Sequence, residues 1–255
     1  MGSLFSGRDS ETGAEIVVAV THDDSSGTGH TMRMRREALA LFKLSHPNLL
    51  SILDVGALHG RLYVILAGTH GQSIDHYLAT RRHSWRVILN LYTDAGRGLA
   101  AAHARAVVHG GITPACIRVA DDGRVRVTDF ALSRDPQRTG GGASPSSELA
   151  ALQPYLAPEQ KSGAPATIYS DQFSFARCLR EALLGGTRWR RLGVPIAIDR
   201  ALRTASAVNP RERYSSMHEL LHDLQPPALP VTLGHALLVA GGLLAAAALT
   251  AMTGF

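Results

Sequence analysis

Lysine is almost absent from this chain of 255 residues. Of its 26 basic side chains only two, Lys43 and Lys161, are lysines, and all the others are arginines. The arginine guanidinium is a bulky planar fork and does not replace a compact lysine ammonium. The sequence therefore excludes any chemistry that needs a lysine before residue 43 or between residues 44 and 160.

Cysteine is equally scarce. The chain contains only Cys116 and Cys178, far apart in sequence, and no Cys/His spacing typical of a zinc site accompanies them. Two such thiols cannot form the framework of a disulfide-rich secreted domain. We therefore expect the folded part of the chain in a reducing cytoplasm.

Acidic side chains are missing from one long internal window. Between Ala95 and Ala120 there is no Asp or Glu, and the only imidazoles there are His103 and His109. A carboxylate general base, which would take a proton from an attacking hydroxyl, is therefore excluded from this window. We expect His103 to be an ordinary helix residue.

Charge is missing from the C-terminal segment. Residues 231–255 contain no charged side chain, and His235 is the only strongly polar one. This length exceeds the roughly 20 apolar residues that a helix needs to cross a bilayer. Residues 226–230 before it form a short proline-rich linker. We predict a transmembrane helix at residues 231–253 with the preceding domain in the cytoplasm, the alternative being a buried C-terminal helix.

The overall composition allows a large core and carries an excess of positive charge. Apolar residues make up 45% of the chain, its net charge is +5 and its pI is about 9.6. Such a charge invites a nucleic-acid or membrane-surface interpretation. The basic residues are mostly scattered, so we interpret them as a solvated surface and expect no nucleic-acid partner. A binding patch at residues 188–191 stays open.

Several segments have clear local patterns. Residues 16–20 form an apolar run that predicts a buried strand, and residues 36–41 have helical apolar spacing. Two further strands are predicted from Ile52 to Gly56 and from Arg61 to Leu66, with a turn between them. Residues 85–106 have the pattern of two helical segments.

The remaining motifs follow in a characteristic order. Residues 108–116 read Val-His-Gly-Gly-Ile-Thr-Pro-Ala-Cys, and a strand at residues 125–128 leads into Asp-Phe-Ala at residues 129–131. Downstream lie Ala-Pro-Glu at residues 157–159, Ser-Asp-Gln-Phe at residues 170–173 and Asn-Pro-Arg-Glu-Arg at residues 209–213. Taken together up to about residue 225, this series resembles the bacterial serine/threonine protein kinase family, as a degenerate pseudokinase member.

The resemblance implies an α+β, bilobal protein-kinase-like fold. Residues 1–66 would form the β-rich N-lobe, without its first strand and most of the glycine-rich loop. Residues 67–225 would form the helical C-lobe, followed by the linker at 226–230 and the transmembrane helix at 231–253. Two explanations of the missing first strand remain open: the strand has been lost, or the start codon of the gene has been misassigned.

The resemblance also shows which catalytic side chains are replaced. Protein kinases hold ATP with a strand-three lysine, bind Mg²⁺ through an asparagine and an aspartate, and orient the attacking hydroxyl with a catalytic aspartate. Ala19 stands at the lysine position, Gly111 at the catalytic aspartate and Cys116 at the asparagine. Since both lysines lie elsewhere, no shift of the alignment restores the first of these. We predict that the chain has no catalytic residue.

The polar residues of the family motifs that this sequence retains are mainly those with structural roles. The resemblance leaves Asp129 as a weak ligand for Mg²⁺ or Mg-ATP, with no cofactor required. It gives structural roles to Glu37, to His109 beneath the loop, and to the pair Glu159 and Arg213. It also implies that Asp171 accepts backbone hydrogen bonds from the loop.

Three hypotheses follow. The first is a membrane-anchored pseudokinase that acts as a binding, scaffold or regulatory module in signalling, with weak or no ATP binding. Its partners would be proteins, such as an active kinase or a membrane protein, and the membrane itself. The second is an active atypical serine/threonine kinase that uses Asp129 and an unrecognised base. The third, a decaying gene product, is disfavoured by the retained scaffold residues.

Overall fold

The N-terminal part of the protein is an antiparallel sheet with one helix packed on it. The computed structural model describes residues 3–20, 28–59, 61–68, 71–130, 147–184 and 193–225. The strands have the order β1-β2-β4-β3 across the sheet. The elements are β1 Ser3–Arg8, β2 Glu15–Val20, α1 Thr28–Phe42, β3 Ile52–Leu58 and β4 Arg61–Ala67. The predicted strands at residues 16–20, 52–56 and 61–66 are confirmed, each slightly longer than the pattern indicated, but residues 16–20 are half-buried rather than buried.

The two faces of this sheet differ. Val64 of β4 is buried and Ala19 of β2, its neighbour in register, is partly buried against the same core. The opposite face carries exposed side chains such as Phe5 of β1. On that face the ring of Tyr63 covers Gly56 of β3, where a Cβ atom would collide with the ring. The Tyr63 hydroxyl donates to Asp54 Oδ2 at 3.0 Å.

The C-terminal part is helical and includes a small three-stranded sheet of order β5-β6-β7. Short 3-10 turns lie at Pro114–Cys116 and Pro210–Glu212. The strands are β5 Gln72–Ser73, β6 Ile117–Val119 and β7 Val125–Val127. The helices are α2 Ile74–Thr80, α3 Trp85–His103, α4 Ser147–Leu152, α5 Pro158–Lys161, α6 Ile168–Leu184, α7 Ile196–Ala205 and α8 Met217–Asp223.

Helix α3 runs through the centre of the core. It packs against α6, α8 and β7, and its Tyr92 ring meets the Phe175 ring of α6 edge-on at 6.0 Å. Ile112, in the loop before the first 3-10 turn, and Ile117, the first residue of β6, are fully buried. Cys178 of α6 is also fully buried, with its Sγ atom 3.9 Å from the Ile112 carbonyl oxygen. The loop that precedes β6 therefore lies directly against the helical core.

The prediction of two helical segments at residues 85–106 is wrong. One helix, α3, spans 19 residues without interruption, and Ser84 caps it by accepting a hydrogen bond from the Val87 N–H. Gly96 and Gly98 both lie inside this helix. A Cβ at Gly98 would collide with the Asn48 carbonyl oxygen, and one at Gly96 would meet Leu221 of α8 at 2.6 Å. These glycines serve close packing, which overrides their low helix propensity.

The C-terminal tail belongs to a separate unit. The chain divides into two units, Met1–Leu224 and Gln225–Phe255. The predicted linker at 226–230 and the predicted transmembrane helix at 231–253 lie outside the described residues. Among the helices that the structure describes, none is both long and apolar enough to cross a bilayer.

Candidate functional site

The loop between α3 and β6 is held by one buried carboxylate. Asp171 of α6 is 1% exposed, and its Oδ1 accepts a hydrogen bond from the Gly110 N–H at 2.8 Å. Its Oδ2 accepts from the His109 N–H at 2.8 Å and lies 2.8 Å from His103 Nε2. Since an ionised carboxylate only accepts, Nε2 of His103 carries the hydrogen. Three donors from two segments thus fix the loop on α6.

His109 connects the loop to the end of β7. Its side chain is fully buried, its Nε2 lies 2.9 Å from the Thr128 carbonyl oxygen, and its ring centre is 4.8 Å from that of Phe130. The Nδ1 atom accepts the Gly111 N–H at 3.3 Å, so Nε2 must be the donor to Thr128. The imidazole is therefore fully engaged by the backbone around it and has a positioning role.

Cys116 uses its thiol within the loop. The Sγ–H donates to the Thr113 carbonyl oxygen at 3.0 Å, and Sγ accepts the Thr113 N–H at 3.3 Å. The residue is 2% exposed. The donor and the acceptor of this buried thiol are both hydrogen-bonded, and these bonds close the 3-10 turn. The thiol is therefore unsuited to bind a hard cation, which prefers oxygen ligands.

Among the residues that the structure describes, Asp129 is the exposed carboxylate at this loop. Its φ is +57°, a left-handed conformation that aspartate tolerates better than most residues. Its Oδ2 accepts a hydrogen bond from Thr128 Oγ1 at 2.9 Å. The Thr128 N–H in turn donates to the Cys116 carbonyl oxygen at 2.8 Å, so Asp129 lies at the same loop as Cys116.

The other positions identified from the sequence carry no group suited to phosphoryl transfer. Gly111 is buried and has no side chain, and Ala19 presents a methyl group to the core. Glu37 is half-buried on α1, beside the fully buried Ala38. Within the described ranges, no cluster of three or more His, Cys, Asp or Glu could hold a metal ion. These donors do not fit the way in which kinases hold Mg²⁺ and ATP.

A second buried charge links α5 to the segment before α8. The Arg213 guanidinium is fully buried and donates to both Glu159 oxygens, at 2.7 and 2.9 Å. It also donates to the carbonyl oxygens of Ala207 and Tyr169, both at 2.9 Å, and of Val208 at 3.3 Å. Burial raises the pKa of Glu159, but the hydrogen bonds and charge of Arg213 outweigh burial and hold that pKa below its ordinary value.

Two residues of the hydrogen-bond network around Asp171 and the loop at residues 109–116 were not predicted from the sequence. His103 was expected to be only a helix residue, and it faces Asp171 across 68 positions of the chain. Gln160 donates from Nε2 to the Gly110 carbonyl oxygen at 3.0 Å. Its place beside the Ala-Pro-Glu motif was the one available signal. For His103 no spacing in a single sequence predicts so distant a partner.

Comparison with known proteins agrees with this architecture. The family model described as protein tyrosine and serine/threonine kinase matches residues 1–223. The probable serine/threonine-protein kinase PknB of Lactococcus lactis is 24% identical, over 88% of this chain and 39% of that protein. PknA of Mycobacterium tuberculosis is 30% identical, over 72% of this chain and 44% of that protein.

A solved structure shares the fold. The PknI kinase domain of Mycobacterium tuberculosis superposes with a TM-score of 0.65 at 22% identity, covering 88% of this chain and 90% of that domain. The chain spans less than half the length of the curated relatives named above. The match over residues 1–223 and these bacterial relatives show that the chain belongs to the protein tyrosine and serine/threonine kinase family, as a bacterial member.

Proposed function

We propose that this protein is a membrane-anchored pseudokinase, a binding or regulatory module in signalling that transfers no phosphate. The observation that carries the proposal is the state of the loop at residues 109–116. Asp171 and His109 hold that loop as a scaffold, while Gly111 offers no base and the Cys116 thiol is turned inward.

The size of the rate contributions that the replaced side chains would have made supports the absence of phosphate transfer. A positioned general base contributes about 10²–10⁴-fold to a rate. Gly111 has no side chain, and no Asp or Glu lies between Ala95 and Ala120 to take its place. In kinases the lysine and the metal ligands add charge stabilisation on the transferred phosphoryl group. With Ala19 and Cys116 at those positions, several contributions of this size are lost together.

Weak or absent Mg-ATP binding is part of the proposal. Mg²⁺ is usually held by one or two carboxylates together with the substrate phosphates. Among the described residues Asp129 is the exposed carboxylate at the loop, and neither Lys43 nor Lys161 lies on β2, where kinases carry the phosphate-binding lysine. A protein partner, such as an active kinase or a membrane protein, would then be the ligand that matters.

The first prediction concerns phosphate transfer. Full-length protein in detergent, incubated with Mg-ATP, is expected to show no mass increase of a phosphate by intact-protein mass spectrometry, because no base activates a hydroxyl. Asp129→Ala should behave identically, and so should the control Asp122→Ala in the exposed turn before β7. Phosphate incorporation that disappears in Asp129→Ala and persists in Asp122→Ala would establish an active atypical kinase and refute the proposal.

The second prediction concerns the anchor. Residues 231–253 are expected to keep the full chain in the membrane fraction through high-salt and alkaline washes, since the segment carries no charge. A matched chain that ends at residue 225 should appear in the supernatant. Full-length protein released by gentle lysis without detergent would disprove the anchor and leave the phosphate-transfer result unaffected.

A further inference from the structure

The small sheet of the C-terminal part presents two arginines side by side. Arg118 of β6 and Arg126 of β7 are directly opposite in register, and Ser73 of β5 is opposite Arg118. Directly opposite residues share a face of a sheet. The residues that flank these arginines on both strands are at most 2% exposed and belong to the core: Ile117, Val119, Val125 and Val127. The arginine row therefore projects from the opposite face of the sheet.

This pair of positive charges is not neutralised by the described part of the chain. Like charges directly opposite one another destabilise a sheet. Neither guanidinium forms an ion pair with any described carboxylate. Arg118 instead donates from Nη2 to the Gly71 carbonyl oxygen at 2.6 Å, which fixes its direction along the sheet.

One donor of Arg118 is buried without a partner. Its Nε atom is shielded from solvent and has no hydrogen-bond partner among the residues that the structure describes. Because Nε is closed to water it is closed to a ligand as well, so the donors left for a ligand are Nη1 of Arg118 and the Arg126 guanidinium, neither of which has a hydrogen-bond partner among the described residues. Ser73 makes no helix-capping hydrogen bond with its hydroxyl, so a third donor lies in the same row.

We propose that this arginine row, formed by Ser73, Arg118 and Arg126, is a binding site for a phosphoryl group. Arginine forks match phosphate oxygens in a bidentate geometry, and such charge-assisted bonds are the strong ones. A phosphoryl group carries about 1.5–2 negative charges near neutral pH, which balances two guanidinium groups, whereas a carboxylate balances one.

The site would need no metal ion, because the arginines themselves supply the positive charge. This site rests on the proposed function, because it assumes a binding module that holds a phosphoryl group without transferring it. The phosphoryl group could belong to free phosphate or to a nucleoside monophosphate, and both have the chemistry that the row recognises.

The test is a titration of the full chain in EDTA. Potassium phosphate, compared with potassium chloride at equal ionic strength, is expected to give saturable binding by calorimetry and a rise in Tm. Arg126→Gln, which breaks no hydrogen bond within the described structure, should weaken Kd at least tenfold, and Arg118→Gln by as much or more. Arg124→Gln, in the exposed turn of the same hairpin, should bind as the wild type does.

A parallel titration with AMP identifies the source of the phosphoryl group. Tighter binding of AMP than of phosphate indicates a nucleotide, and equal binding indicates the free anion. Absence of saturable binding in the wild type, or equal binding in the Arg126→Gln and Arg124→Gln variants, would overturn the proposal. Neither outcome bears on phosphate transfer, which the mass measurement decides separately.

Discussion

Replacing Asp171 with alanine is expected to lower the free energy of unfolding by about 3–5 kcal/mol, as expected when one partner of a buried polar network is removed. The carboxylate is almost fully buried and accepts from the N–H groups of His109 and Gly110 and from the His103 ring. Alanine leaves all three donors without an acceptor in the core, at a cost of about 1–3 kcal/mol for each one that water cannot reach.

Urea denaturation followed by circular dichroism measures this loss. The matched control is Asp94→Ala on α3, whose carboxylate pairs with Arg97 at the surface and should cost less than about 1 kcal/mol. Asp171→Asn should recover only part of the loss, because one end of its amide is an NH2 group that cannot accept a hydrogen bond from the donors facing it. Equal costs for Asp171→Ala and Asp94→Ala would show that the loop is not held by this carboxylate.

Arg213→Ala is expected to cost a similar amount, about 3–5 kcal/mol, because it leaves Glu159 without its buried partner. Three backbone carbonyl oxygens lose their donor as well. Arg213→Lys should recover only part of the loss, since an ammonium group has three donors and lacks the planar fork. Arg203→Ala, which removes an exposed pair with Asp199, is the matched control and should cost less than about 1 kcal/mol.

The pH dependence of Glu159→Gln provides an independent check on this pair. A carboxyl group whose pKa is lowered in the folded state stabilises the protein above its unfolded pKa, and that contribution disappears as the pH falls through the folded pKa. The stability difference between wild type and Glu159→Gln should therefore be constant near neutral pH and shrink below about pH 4.3. A difference that grows in acid would contradict the lowered pKa of Glu159.

Local patterns in the sequence predicted three strands of the first sheet, whereas the bilobal fold was expected from the resemblance that the ordered motifs carry. Apolar runs and turn residues predicted β2, β3 and β4, because burial of alternate residues leaves a signal within each strand. They failed at α3, which was predicted as two helical segments and is one helix that includes Gly96 and Gly98. The reason for those glycines lies in Asn48 and Leu221, which are distant in sequence and invisible to a local pattern.

At the candidate site, the sequence predicted which residues occupy the catalytic positions but not which hydrogen bonds their side chains form. The replacements at Ala19, Gly111 and Cys116 can be read from the sequence alone, because they are statements about residue type. The inward hydrogen bonds of the Cys116 thiol and the pairing of His103 with Asp171 depend on three-dimensional contacts. Such contacts between polar groups leave no periodic trace in a single sequence.

The burial of both cysteines has a practical consequence for experiments on this protein. Burial raises the pKa of the Cys178 thiol well above its ordinary value, so this sulfur stays protonated and unreactive while the fold is closed. Cys116 is equally hidden from reagents. A cysteine introduced at the surface would therefore take up a fluorescent or spin label alone, without removal of the native pair. Slow modification of Cys116 and Cys178 would in turn time the spontaneous opening of the core.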